Sequence, residues 1–123
     1  MRVMIPERPD HLLVFLSAFS FLPDMLKAGV KIYRYQPGFL HQKVMLIDHS
    51  SATVGTVNLD NRSFRLNFEI TAFIPSADFA NDVATMLEAD FSKCRRVTLD
   101  EVSQRPMWKK VVSRAAYLMA PVQ

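Results

Sequence analysis

At 123 residues, half of them apolar, the chain can build one domain with a real core and is too short for two. A formal net charge of +3 is too modest to decide between partners, and a single cysteine rules out an intrachain disulfide and suits a reducing compartment. Met1 to Arg8 lacks the apolar segment of a secretory leader, and the most apolar run, Leu12 to Leu22, is about half the roughly 20 residues a membrane-spanning helix needs.

In chain order, Arg2 to Ile5 reads as a short strand that begins almost at the first residue, and Pro6 to Asp10 as a loop. His11 to Ser20 is apolar nearly all round and reads as a buried helix. Pro23 suits the opening of a second helix and Gly29 its end. Val30 to Tyr35 alternates as strands do, and Gln36 to Leu40 forms a turn that delivers His41. Lys43 to Asp48 and Ala52 to Asn58 read as two strands linked by His49-Ser50-Ser51; the first is apolar enough to be buried on both faces. A polar connector, Leu59 to Asn67, leads to an apolar strand from Phe68 to Ile74. Ser76 is an N-cap for a helix carrying Phe79, Val83, Met86, Leu87 and Phe91 on one face. Thr98 and Glu101 form a capping box for a short helix. Pro106 opens a last helix, 106–123, whose stripe of Met107, Trp108, Val111, Val112, Ala115, Leu118 and Met119 lies opposite Lys109, Lys110, Ser113, Arg114 and Tyr117. These elements predict an α/β fold, a mixed β-sheet flanked by helices.

Charge is uneven. Lys93 to Arg114 holds seven basic residues and two acidic ones, which points to an anionic partner, either phosphate-rich lipid or nucleic acid. The last helix can lie on an anionic membrane surface or, as is commoner, dock on the core by its apolar stripe.

Chemistry concentrates between His41 and Asn58. Strand parity sends His41 and Lys43 one way, and Thr56 and Asn58 one way. If the two strands pair, an imidazole, an ammonium, a hydroxyl and an amide converge. Three of these can donate hydrogen bonds to a phosphate, and the imidazole, largely neutral near neutral pH, can attack one. Asp48 has the opposite parity and is expected to bond backbone or a neighbour. Gly55 allows a close approach or marks a bulge. Glu69, between Phe68 and Ile70, needs a partner, for which Arg62 and Arg65 are candidates. His11, His41, His49 and Cys94 lack the spacing of metal ligands, so no metal is expected.

His41-x-Lys43-x4-Asp48, then six residues, then Gly55-Thr56-x-Asn58 resembles the signature of the phospholipase D superfamily, in which Ser is commoner at the Thr56 position. Asn58 to Glu69, Gly29 to Tyr33, Tyr35 to His41 and Pro6 to His11 resemble its bacterial cardiolipin synthase branch. The resemblance implies half of a phospholipase D domain: a partial catalytic half-domain over 1–105, with the basic amphipathic helix at 106–123. It implies His41, Lys43, Asp48 and Glu69 as catalytic residues and Lys43, Thr56 and Asn58 as phosphate ligands. It further implies a phosphohistidine at His41, an imidazole oriented by Glu69, and no metal or cofactor. Phosphatidylglycerol would be the substrate and cardiolipin the product, at the bacterial inner membrane, with the chain peripheral to it. The family completes its site with a second His-x-Lys motif. That motif would come from another chain or, the preferred expectation, from upstream residues of a longer enzyme, whose absence leaves the sheet a strand short. Two other readings are a homodimeric single-motif phosphodiesterase acting on nucleic acid and a non-catalytic phospholipid-binding remnant. The first is disfavoured because the aromatic residues lie mostly in apolar runs and form no clear stacking platform among basic ones.

Overall fold

The computed structural model describes residues 1–8, 21–58, 63 and 67–104. Its elements in chain order are strand β1 (Arg2–Pro6), helix α1 (21–27), strands β2 (Lys31–Tyr35), β3 (Val44–Ile47), β4 (Ser51–Gly55) and β5 (Thr71–Ile74), helix α2 (Ala77–Phe91), strand β6 (Cys94–Arg96) and helix α3 (Leu99–Ser103). The class is the expected mixture of helices and strands, but the strands form two three-stranded sheets, β1-β2-β6 and β3-β4-β5. The chain divides into two compact units, Met1–Leu40 with Cys94–Gln123, and His41–Lys93. The 1–105 segment thus contains the second unit whole and part of the first, and the helix expected over 106–123 lies outside the described residues, as does the one over His11 to Ser20.

In the first unit β1 runs parallel to β2, with Arg2 opposite Lys31 and Pro6 opposite Tyr35, and β6 runs antiparallel to β2. A parallel pair needs a long crossover, and the chain between β1 and β2 ends in α1. Alternation decides the faces: Ile32 and Val97 are buried with Leu22 and Val102, and Val3, Ile5, Met25, Leu26 and Val30 pack against them. The Val97 N–H bonds Ile32 O at 2.9 Å and carries the ladder one residue past β6. Pro23 does not open α1, because Phe21 and Leu22 are already helical. Gly29 closes it at φ +83°, with Gly29 N–H on Leu26 O and Val30 N–H on Met25 O, both 3.0 Å. This left-handed closure carries no steric penalty only at glycine.

Arg34 and Arg95 face each other across β2 and β6, a repulsive pairing by itself. Glu7 resolves it, 3.0 Å from Arg34 Nη1 and 3.6 Å from Arg95 Nη2. Arg95 also donates both guanidinium nitrogens to Glu101, at 2.6 and 3.1 Å, and these bonds raise its pKa. Thr98 caps α3, accepting from Glu101 N–H at 3.3 Å. Part of the basic surplus read from the sequence is therefore neutralised within the fold.

In the second unit β3, β4 and β5 form an antiparallel meander. The first turn is Asp48-His49-Ser50, one residue earlier than expected. Ser50 N–H bonds Ile47 O at 3.0 Å, and Asp48 and His49 lie at φ 47° and 55°. Positive φ at both central positions matches the twist of paired strands, and Asp tolerates it better than most residues. Ser76 caps α2, accepting from Phe79 N–H at 3.3 Å. α2 packs against β3 and β4, with Ala52, Ala80 and Val83 buried. β3 is not buried on both faces: Val44 and Leu46 are half-buried, whereas Met45 and Ile47 are exposed.

Candidate active site

Antiparallel pairing sets the site. It brings the residues just before β3 beside those just after β4, and Gly55 N–H bonds Lys43 O at 3.1 Å. His41, Lys43, Gly55, Thr56 and Asn58 line one cavity of about 290 Å³ at this open end of the hairpin. His41, Thr56 and Asn58 are exposed, and Lys43 is half-buried with its ammonium donating to His41 O at 3.2 Å. Gln42, which lies between His41 and Lys43, donates instead to Asp90 of α2 at 2.8 Å. That bond fixes the short segment whose neighbours on either side face the cavity.

Asp48 is not among them. It sits exposed at the closed end of the hairpin, about 16 Å along the strand from Lys43 at the usual rise per residue. The structure assigns it to the turn.

Gly55 is required by close approach. A Cβ there would lie 2.5 Å from Ile70 O, 2.5 Å from Thr71 Oγ1 and 2.8 Å from Thr71 Cα. The close contact is with the chain entering β5, and it draws Thr56 onto that chain. Thr56 N–H bonds Ile70 O at 2.9 Å, and Ile70 N–H bonds Thr56 Oγ1 at 3.0 Å.

Glu69 occupies a different setting from the one the sequence suggested. Phe68 and Ile70 are exposed and β5 starts only at Thr71, so the carboxylate is not embedded in an apolar strand. Its hydrogen bonds come from the Thr56 hydroxyl and from Asn67 Nδ2 at 3.3 Å, with the buried Ser63 hydroxyl beside it. Thr56 first, then Ser63, Asn67 and the Lys43 charge, hold the Glu69 carboxyl below the ordinary glutamate value against desolvation. The Thr56 hydroxyl is a partner of Glu69 that the sequence did not foresee. Asn67 and Ser63 were missed by sequence reasoning; their only trace was the polar composition of the connector. Among the described residues, no group of three or more His, Cys, Asp or Glu could hold a metal ion.

Chemically, the cavity offers an imidazole, an ammonium and a primary amide around a space large enough for a phosphodiester, with an ionised carboxylate bonded to its wall. Residues 1–93 match the family described as cardiolipin synthase, PLD-like domain. Cardiolipin synthase A of Pseudomonas fluorescens is 46% identical over 121 residues, 98% of this chain and 25% of that protein. The Pseudomonas syringae pv. syringae protein of the same name is 41% identical over the same shares. The chain thus spans about a quarter of the length of the curated relatives it matches. In fold it is similar to Nuc, a phospholipase D family member from Salmonella typhimurium, with a TM-score of 0.65 over 78% of this chain and 62% of that one at 15% identity. By motif, cavity and sequence match together, the chain belongs to the cardiolipin synthase family through its phospholipase D-like domain.

Proposed function

We propose that the cavity at the open end of the β3–β4 hairpin is the phosphate site of a cardiolipin synthase-type phosphatidyltransferase. His41 attacks the phosphorus of phosphatidylglycerol. A P–N bond forms, the P–O bond to the headgroup glycerol breaks, and glycerol leaves with a proton. A hydroxyl of a second phosphatidylglycerol then attacks the phosphohistidine, returning its proton to the group that had protonated the glycerol; its P–O bond replaces the P–N bond, and cardiolipin is released with His41 restored. Lys43 and Asn58 hold the non-bridging oxygens, where charge builds in the transition state. The proton on the leaving oxygen is supplied by a second His-x-Lys motif, contributed by another part of a longer chain or by another chain. Substrate in a bilayer places the site at an anionic membrane surface. No helix among the described residues is long and apolar enough to cross one.

The observation that carries this reading is the single cavity lined by His41, Lys43 and Asn58 in a chain 46% identical to cardiolipin synthase A. The test is transfer from labelled phosphatidylglycerol in liposomes, with the 123-residue chain and its His41→Ala variant. Cardiolipin from the wild type alone supports His41 as nucleophile and means that two chains complete a site. Equal product from both would remove His41 from the mechanism. No product from either places the second motif in a longer chain.

A further inference from the structure

A phosphate ligand at Thr56 must donate, because phosphate oxygens accept. A hydroxyl has one proton and two lone pairs. The bonds around Thr56 Oγ1 direct the proton to Glu69 Oε2, with Ile70 O a longer second acceptor at 3.4 Å, and commit one lone pair to Ile70 N–H, 3.0 Å away. Glu69 accepts from Asn67 as well, and an ionised carboxylate only accepts, so the direction of the Thr56–Glu69 bond follows. What remains on Thr56 Oγ1 is a lone pair, and a phosphate oxygen finds no partner there. Its backbone N–H is also committed, to Ile70 O. Lys43 and Asn58, on the same cavity, carry an ammonium and a primary amide with several N–H donors between them.

We propose that Thr56 is a positioning residue: it ties Glu69 and the 67–70 segment to the end of β4 and takes no part in holding phosphate. The first half of this assignment stands on hydrogen bonding alone. The second half rests on the cavity being a phosphate site. Four bonds run between Thr56 and residues 69–70, and Gly55 next to it allows the approach that makes them possible. The hydroxyl is what the position needs, so Ser serves equally well.

The test has two readouts on the 123-residue chain. The first is the titration of the Glu69 carboxyl carbon by ¹³C NMR in the wild type and in Thr56→Ser, Thr56→Val and Thr56→Ala. Lys43, the cation acting on Glu69, is present in all four, and His41 across the cavity is followed separately by its ring signals. Thr56→Ser should keep the wild-type midpoint, and both hydroxyl-free variants should raise it toward the ordinary glutamate value. One midpoint for all four would overturn the anchoring role, and Thr56→Ala decides it if Thr56→Val does not fold. The second readout is the affinity for inorganic phosphate by calorimetry. Lys43→Met and Asn58→Ala should lose about tenfold or more, the loss of one hydrogen bond to a charged group, while Thr56→Val stays within about twofold. A tenfold loss in Thr56→Val would make Thr56 a phosphate ligand after all. Failure of the wild type to bind phosphate would overturn the phosphate site itself, and the titration would still decide the anchor.

Discussion

Lys43 rests its ammonium on the carbonyl of His41, so the cation and the proposed nucleophile are held together before any substrate arrives. Lys43→Met keeps the stem and removes the charge. In the protein that catalyses transfer, it should lower turnover about 100- to 1,000-fold, the usual cost of losing one transition-state donor, with an unchanged urea midpoint. Asp48 should behave in the opposite way. At φ 47° it needs a residue that tolerates the left-handed region. Asp48→Asn should leave both turnover and stability close to wild type, whereas Asp48→Val should cost about 1–2 kcal/mol in urea unfolding. Glu69 has a pH signature. Its folded-state pKa is depressed, so its contribution to stability is fully present above the unfolded value of about 4.3 and is lost as pH falls through the lower folded value. The stability difference between wild type and Glu69→Gln should therefore shrink below about pH 4. A difference that stays constant down to pH 2 would show that Glu69 is not bonded as described.

Between elements, two contacts are exposed to single substitutions. Gly55→Ala drives a methyl into Ile70 O and the Thr71 backbone, so β5 must move away from β4. The expected loss is about 1–3 kcal/mol, with weaker hydrogen-exchange protection at Thr56 and Ile70. Glu7→Gln removes the carboxylate that stands between the opposed Arg34 and Arg95, and should cost about 1–3 kcal/mol. Element type was legible because alternation and apolar spacing are local. Val30 to Tyr35 and the capped helix after Ser76 needed nothing from elsewhere in the chain. Strand ends were less legible. The apolar character of Phe68 and Ile70 suggested strand, but pairing begins at Thr71, where Gly55 lets the two backbones meet. The turn slipped by one residue because Ser51, polar and turn-like in sequence, pairs with Ile47 and is buried. The Thr56–Glu69 bond could not be read, since it depends on the β4–β5 register and not on any spacing.

For the molecule as a whole, the meeting of His41, Lys43, Thr56 and Asn58 at one cavity was legible because they fall in one short stretch and one hairpin joins them. The division into two units was not, because one unit is assembled from both ends of the sequence. The uneven charge needs the same correction, since Arg95 is bonded to Glu101 and Glu7 and adds little to the external field. If the remaining surplus draws the chain to anionic lipid, binding to phosphatidylglycerol vesicles should fall steeply between about 0.05 and 0.5 M salt, as the screening length shortens. Binding that ignores salt would mean hydrocarbon contacts carry it instead.

Phe68 is fully exposed and Ile70 is 75% exposed, and the ionised Glu69 stands between them. Oil and charge joined on one short segment make a surfactant in miniature. Where air or hydrocarbon meets water, the two side chains escape the water while the carboxylate stays wet. The chain should therefore gather in the surface film and lower its tension at concentrations where Phe68→Ser with Ile70→Ser stays dissolved in the bulk.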